Sequence, residues 1–505
     1  MNLSRYTVKN INAQGVALPD EALFDLPERV LQFGTGVLLR GLPDYFIDKA
    51  NKQGIFNGRI VVVKSTDGGD AAAFDRQDGL YTLCVRGLDG GVKTEENIVC
   101  SAISRVLSAK SEWDTILECA HNPLLQVIIS NTTEVGIQLV NDDIRKHPPV
   151  SFPGKLLAFL LERYKAFEGS RKSGMVIIPT ELILDNGKKL ESIVLEQAHL
   201  NGLDDRFIEW LENCNYFCNS LVDRIVPGKP AAAQKALIEA ELGYTDDLLT
   251  MSEVYRLWAI EGDEFVQSVL SFAKGDSGVV IAPDINIFRE LKLRLLNGTH
   301  TLSCAVAYLS GFNTVKEAMD DEVMAAFVAD LMKNEIAPAI PYPSVNEKEA
   351  AEFSNKVLDR FRNPQIEHLW INISVQYSSK MKMRNIPVLV KYFEVFRSVP
   401  ENFATGFAAF LLFMKSVKKQ GNQYYASFNG KEYLLQDDHA AYFFEKWQLS
   451  AQDFVKEVLQ DVVFWGEDLS KLPGFSEAVL EKLQQMQEEG VRATILSLQS
   501  KKILA

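Results

Sequence analysis

The sequence predicts an α/β chain in two parts: a doubly wound N-terminal domain over residues 1–284 and a mostly α-helical C-terminal domain over residues 285–505. Three observations carry this expectation. Short β-branched runs alternate with helical stretches in the first half. Those runs are apolar throughout rather than at every second position, as parallel strands covered on both faces require. After about residue 284 strand-like runs nearly vanish and long helical segments take over. A chain of 505 residues is also too long for one core.

The elements follow in order. Val30-Leu31-Gln32-Phe33 is a first strand that runs into Gly34-Thr35-Gly36, and a helical pattern continues through Leu38, Leu39, Tyr45, Phe46 and Ile47. Ile60 to Val63, Val127 to Ile129, Val176 to Ile178 and Val279 to Ile281 read as further strands, with helices such as Lys155 to Phe167 between them. In the second half, Phe288 to Leu309, Glu322 to Asn334, Glu347 to Arg362, Phe403 to Lys418 and Ala451 to Leu459 read as helices. Turn-rich breaks at Ile336-Ala337-Pro338 and Pro341-Tyr342-Pro343 separate some of them.

Composition narrows the function classes. The chain is 47% hydrophobic and 24% charged, the balance of a soluble globular protein. A net charge of −14 argues against nucleic acid or an anionic membrane as a partner. It also means that an anionic substrate needs a local basic cluster set against the field of the whole protein. The greasy stretch from Phe403 to Met414 is too short to cross a bilayer. The polar start of the chain lacks a secretion signal, so a cytoplasmic location is expected, as a monomer or small homo-oligomer. The six cysteines include no Cys-x-x-Cys pair and read as reduced thiols. Cys214 and Cys218 lie four apart without a second ligand pair, so no metal site is expected.

Gly34-Thr35-Gly36 sits where the first strand turns into a helix. Glycines there let backbone N–H groups approach a pyrophosphate, which is the pattern expected of a Rossmann-type domain with a dinucleotide ligand. A third glycine is missing, because Leu39 holds its place before Arg40. A tight strand-to-helix turn with no ligand is the plain alternative. After the second strand, Asp67 suits the ribose hydroxyls of NAD, whereas Lys64 would tolerate a 2′-phosphate; NAD is the expected cofactor.

The segment from Phe288 to His300 carries the chemistry. At about 100° per residue, Lys292, His300 and Asn297 fall at about 0°, 80° and 140° on a helix, which puts them in one sector. An amine, an imidazole and an amide so grouped fit carbonyl reduction: proton donor, substrate orienter and oxyanion donor. A solvated lysine beside two satisfied polar groups is the competing reading.

Lys292-x4-Asn297-x2-His300, followed by Ala305 and Leu309-Ser310-Gly311, resembles the signature of the polyol-specific long-chain dehydrogenases, the mannitol dehydrogenase family. Phe33-Gly34-Thr35-Gly36 with Arg40, Asp78 to Leu83, Val222 to Pro227, and Ser252-Glu253 with Trp258 agree with it in family order. The resemblance implies an NAD-dependent oxidoreductase acting on CH–OH groups without a metal. Lys292 would be the general acid/base, Asn297 the oxyanion donor and His300 a substrate binder. Phe33, Gly34, Thr35, Gly36 and Arg40 would serve the cofactor.

The chain departs from the family's Cys-Asp-Asn run after the strand ending at Ile178. Pro179-Thr180-Glu181 stands there instead, so Glu181 holds the place of a second oxyanion asparagine. A carboxylate donates a hydrogen bond only when protonated. Ser130 to Gly136, Ser151 to Lys155 and Asn363 to Trp370 are similar to the uronate-reducing branch of the family. That similarity implies cofactor contacts at Asn131, Thr132 and Glu134, and substrate contacts at Glu181 and His368. Lys380-Met381-Lys382-Met383-Arg384 concentrates cations in an acidic chain. It is either a solvated helix start or the partner of a substrate carboxylate, with Lys380 first and Arg384 next. The activity implied is reversible reduction of D-tagaturonate, a sugar acid, to D-altronate by NADH, in bacterial galacturonate breakdown. Fructuronate reduction, a neutral polyol substrate and a non-catalytic sugar-acid sensor on the same fold are the alternatives.

Overall fold

The structure, a computed structural model, describes residues 1–65, 71–132, 135–365, 367–428 and 430–504, the side chains of residues 71 and 501–504 excepted. The chain forms two compact units, Met1–Gly87 with Lys93–Ile285, and Leu88–Val92 with Asn286–Ala505.

Unit 1 is built on a parallel sheet of six strands: β1 (Glu28–Phe33), β2 (Arg59–Lys64), β3 (Ile103–Ser108), β4 (Val127–Ser130), β5 (Val176–Pro179) and β6 (Tyr216–Phe217). Their order is β3-β2-β1-β4-β5-β6, the doubly wound Rossmann order, which reverses direction between β1 and β4. Side-chain alternation explains why both faces are apolar. Val30, Ile60, Val62, Val127 and Ile129 feed one buried cluster, while Leu31, Val61, Val63 and Ile128 feed another. The expected strand at Val279 to Ile281 is present as Val279–Ala282, but it lies outside the parallel sheet. It pairs with Leu257–Glu261 in a separate three-stranded sheet.

The helix expected after Gly36 is two helices, α1 (Val37–Gly41) and α2 (Pro43–Lys52), broken at Leu42. Pro43 has no N–H to continue the ladder but suits a first helical position. Helix α3 (Phe152–Ala166) is capped by the Ser151 hydroxyl, which accepts from the Gly154 N–H.

Unit 2 is mostly helical. Its principal helices are α4 (Thr299–Leu309), α5 (Glu347–Phe361), α6 (Tyr377–Phe396), α7 (Glu401–Phe413) and α8 (Phe475–Glu489). Helix α7 stops at Phe413 rather than running on to Lys418. Ser416–Gln420 instead forms an antiparallel sheet with Gln423–Phe428 and Lys431–Leu434. Among the described residues no helix is long and apolar enough to cross a membrane.

One polar pair is buried beside β1. Gln32 is 1% exposed, and its amide donates to Asp44 Oδ2 and to the Gly34 carbonyl, both at 3.4 Å. Gln32 Oε1 and Asp44 Oδ1 are buried acceptors without a partner among the described residues. Burial lifts the Asp44 carboxyl from its ordinary 3.8 to about 8, against the opposing pull of Gln32 and Arg40. A folded-state pKa raised in this way stabilises the protonated form. The contribution is complete below 3.8 and is lost as pH rises through about 8. Asp44→Asn keeps the size and removes the titration. The variant's advantage over the parent should therefore be smallest near about pH 4, grow progressively, and level off above about pH 8. Melting temperatures of both proteins across that range check this, and a difference that does not change with pH would refute it.

Candidate active site

In unit 1 the ends of β1 and β4 come together at the point where strand order reverses. The Gly34 N–H donates to the Val63 carbonyl (3.0 Å) and the Asn131 N–H to the Phe33 carbonyl (3.1 Å), so the ladder extends past both strands. The two glycines of the turn differ. Gly34 has φ +127°, and a Cβ there would stand 2.9 Å from the Asn131 carbonyl oxygen and from Leu39 Cδ1. The turn itself excludes a side chain at Gly34. Gly36 is exposed, and a Cβ on it would meet nothing within 4 Å. Open space at the start of α1, where the first N–H groups have no intrahelical acceptor, fits the approach of a pyrophosphate.

The other residues assigned to the cofactor are placed as follows. The Phe33 ring is buried against Phe152, 5.2 Å between centroids. Thr35 is half-buried in the turn. The Arg40 guanidinium is buried, donates to the Leu248 carbonyl (2.5 Å) and lies over Phe74 and Tyr81. Burial lowers its pKa. Asn131 donates to the Thr180 carbonyl (3.2 Å) and hydroxyl (2.9 Å). Asp67 and Glu134 lie outside the described residues.

In unit 2 the segment Lys292–Gly298 winds as a π-helix, not as the α-helix that the 100° spacing assumes. Each π rung spans five residues instead of four, so Lys292 and Asn297 come to lie about one turn apart rather than about 140° apart. Three tertiary contacts accompany this winding. Arg294, 7% exposed, pairs with Glu290 (2.9 Å) and donates to the carbonyls of Met383 (2.7 Å) and Arg384 (2.8 Å) on α6. The Asn297 carbonyl accepts from the Thr301 hydroxyl (2.8 Å) and from Arg384 Nη1 (3.4 Å). Gly298 lets α6 come close, since a Cβ would stand 2.8 Å from Asn385 Oδ1.

His300 opens α4. Its ring stacks on Phe361, 4.0 Å between centroids at 10°, and meets His368 edge-on at 5.0 Å. Its Nε2 is buried without a hydrogen-bond partner among the described residues. Burial pushes its pKa well below 6.5, helped by His368, Arg360 and Arg384, so the ring is neutral at physiological pH. His368 is lowered too, by burial and then by Arg360 and Lys380. On α6, one turn apart, Lys380 donates to the Ile373 carbonyl (3.1 Å) and Arg384 to the Thr301 hydroxyl (3.1 Å). Neither makes an ion pair among the described residues. Burial, then Arg384, lowers the Lys380 ammonium, and burial brings Arg384 down to about 10. Unit 2 thus brings Asn297, His300, His368, Lys380 and Arg384 into one neighbourhood that continues into the π-segment bearing Lys292. Arg294, Thr301 and Phe361 belong to it as well; single-residue spacing carries no sign of them, because their partners are distant in sequence.

The comparisons with known proteins bear on both units. The model of the mannitol dehydrogenase Rossmann domain matches residues 28–274, and that of the mannitol dehydrogenase C-terminal domain matches residues 284–487. The altronate oxidoreductase of Bacillus subtilis (strain 168) is 38% identical over 93% of this chain and 95% of its own length. The chain belongs to the mannitol dehydrogenase family. The altronate oxidoreductase of Halalkalibacterium halodurans is 37% identical over 93% of each chain. Two solved structures share the fold. D-sorbitol dehydrogenase in substrate-free form is 20% identical with a TM-score of 0.79, covering 98% of this chain and 100% of its own. The Pseudomonas fluorescens mannitol 2-dehydrogenase, in ternary complex with NAD and D-mannitol, is 22% identical with a TM-score of 0.64, covering 99% and 100%.

In this member of the mannitol dehydrogenase family, Glu181 is 3% exposed and already engaged. Its Oε1 accepts from the Thr132 N–H (2.8 Å) and hydroxyl (3.1 Å), and its Oε2 from the Ser130 hydroxyl (3.1 Å). Burial raises its pKa, while the donors from Thr132 and Ser130 pull it back. The carboxylate ties the end of β4 to the end of β5. Glu181→Leu leaves those donors unmet at about 1–3 kcal/mol for each buried group. Glu181→Gln still accepts from Thr132, and the Ser130 hydroxyl can turn to accept from its amide, so the loss should stay under about 1 kcal/mol. Urea denaturation of the two variants checks the contrast; equal losses would show that these bonds do not hold the loop.

Proposed function

We propose that this chain is an NAD-dependent oxidoreductase that reversibly reduces D-tagaturonate to D-altronate. The observation that carries the reading is the pair Lys380 and Arg384. These two half-buried cations sit one turn apart, with no ion pair to either among the described residues, in a chain of net charge −14. A desolvated cation pair of this kind is costly unless an anion completes it. A uronate carboxylate is such an anion. That the relatives at 37–38% identity bear the name altronate oxidoreductase supports the same substrate class.

The Gly34-Thr35-Gly36 turn, with Asn131 and Thr132 beside it, is the site we assign to the dinucleotide, and Asp67 is the residue we assign to its ribose. NADH, when bound, supplies the hydride to the ketone carbon. Lys292 gives the proton to the ketone oxygen as it becomes an alkoxide, and takes it back in the reverse direction. The Asn297 amide donates to that oxygen and lowers the cost of its developing charge. His300, neutral and with Nε2 uncommitted, orients a substrate hydroxyl. Lys380 takes the carboxylate, and His368 borders the substrate.

Two variants test the assignment. Lys380→Met should raise KM for tagaturonate by roughly tenfold to 150-fold, the loss of one charge-assisted bond of about 1.5–3 kcal/mol. KM for an uncharged ketose should change little, and equal losses on both substrates would remove Lys380 from the carboxylate site. Lys292→Ala should lower kcat by about 10²–10⁴-fold while NADH binds as before in a fluorescence titration. Parent-like turnover in that variant would rule out Lys292 as the proton donor.

A further inference from the structure

In α4 an unbroken ladder would pair the Ala305 N–H with the Thr301 carbonyl, four residues back. A third group sits on that rung. The Tyr377 hydroxyl accepts from the Ala305 N–H (2.9 Å) and donates to the Thr301 carbonyl (2.8 Å). Tyr377 is the first residue of α6 and is fully buried. Its ring is held between Phe410 (4.8 Å, 73°) and Phe413 (5.5 Å, 72°) of α7. A side chain inserted at a rung of this kind opens the helix and changes its pitch. The rung lies directly after His300, and Thr301 links it to the π-segment. The Thr301 hydroxyl donates to the Asn297 carbonyl (2.8 Å) and accepts from Arg384 (3.1 Å).

We propose that Tyr377 is a positioning residue for the reaction: its hydroxyl, held on the Thr301–Ala305 rung, sets the pitch of the helix that presents His300 and, through Thr301, the π-turn that presents Asn297. The inference rests on the proposed roles of His300 and Asn297. Tyr377 touches the reacting groups only through the backbone of α4. Burial keeps its phenol protonated by raising its pKa well above 10, so it can donate and accept at once. Loss of the hydroxyl leaves no backbone group of α4 without a possible partner. Without it, Ala305 and Thr301 are the pair that an α-helix bonds directly, and α4 can close on itself.

The test is Tyr377→Phe in the full-length protein, with three readings. We expect kcat to fall by at least about tenfold, which corresponds to a shift in the site too small to abolish binding. We expect NADH affinity to be unchanged and the melting temperature to stay within about 4 °C of the parent. We also expect the His300 ring signal to move in the NMR spectrum of protein labelled at its six histidines. That spectrum is recorded without substrate, so it reports on α4 even if the enzyme acts on a different ketone. An unchanged His300 signal overturns the proposal, as does parent-like kcat. A loss of kcat matched by a large loss of melting temperature, including failure to fold, also overturns it, since that marks a purely structural role. Thr301→Val should lower kcat in the same way, and Thr301→Ser, which keeps the hydroxyl, should restore it.

Discussion

Much of unit 2 depends on one guanidinium. Pro387 lies inside α6 and has no N–H to give to the Met383 carbonyl four residues back. A break there would normally kink or end a helix of this length. Arg294 instead donates to the carbonyls of Met383 and Arg384, while Glu290 neutralises its charge from the preceding turn. The same contact anchors the π-helix from which Arg294 projects. Two departures from regular helix, a proline in α6 and a widened turn in the segment bearing Lys292, are therefore satisfied by one side chain. Gly298 completes the arrangement by letting α6 approach where any Cβ would collide with Asn385. With the π-turn and α6 fixed together, the amide of Asn297 and the cations of α6 keep a defined spacing.

In unit 1 the corresponding constraint is the end of the sheet. Rossmann order places β1 beside β4, and backbone bonds continue beyond both strands until Gly34 and Asn131 almost touch. Glu181 then ties in Ser130 and Thr132 from the end of β5. The position at which the family resemblance implies a neutral amide is here an acceptor engaged by its own loop. A buried acid is tolerable there because its oxygens take three hydrogen bonds, two of them from Thr132.

How much was legible in the sequence follows from what each signal depends on. The strands at Val30, Ile60, Val127 and Val176 were readable because burial on both faces demands continuous apolar residues. β3 was not. Its sequence Ile103-Ser104-Arg105-Val106-Leu107-Ser108 is polar on one side because it forms the sheet edge, where Arg105 pairs with Glu28. The end of α7 was misjudged because Ser416 to Lys418 resemble a lysine-rich helix terminus. What decides their state is pairing with Gln423–Phe428, a contact that local pattern does not encode. Lys292, Asn297 and His300 could be picked out by spacing and family resemblance, yet the π-winding that arranges them could not. It is accompanied by Pro387, Arg384 and Asn385, roughly ninety positions downstream, whose meaning emerges only when α6 packs against the segment.

The contrast between Gly34 and Gly36 bears on how such a turn is maintained over generations. A replacement at Gly34 collides with the protein's own backbone, so its cost is felt in the folding equilibrium and appears as reduced abundance in the cell. At Gly36 the fold is indifferent, and only an occupant of the adjacent space would register the change. A lineage that stopped using the ligand would be expected to conserve the first glycine and let the second drift. The pair could then serve as a marker of retained ligand use, distinct from retained architecture, among distant copies of this domain.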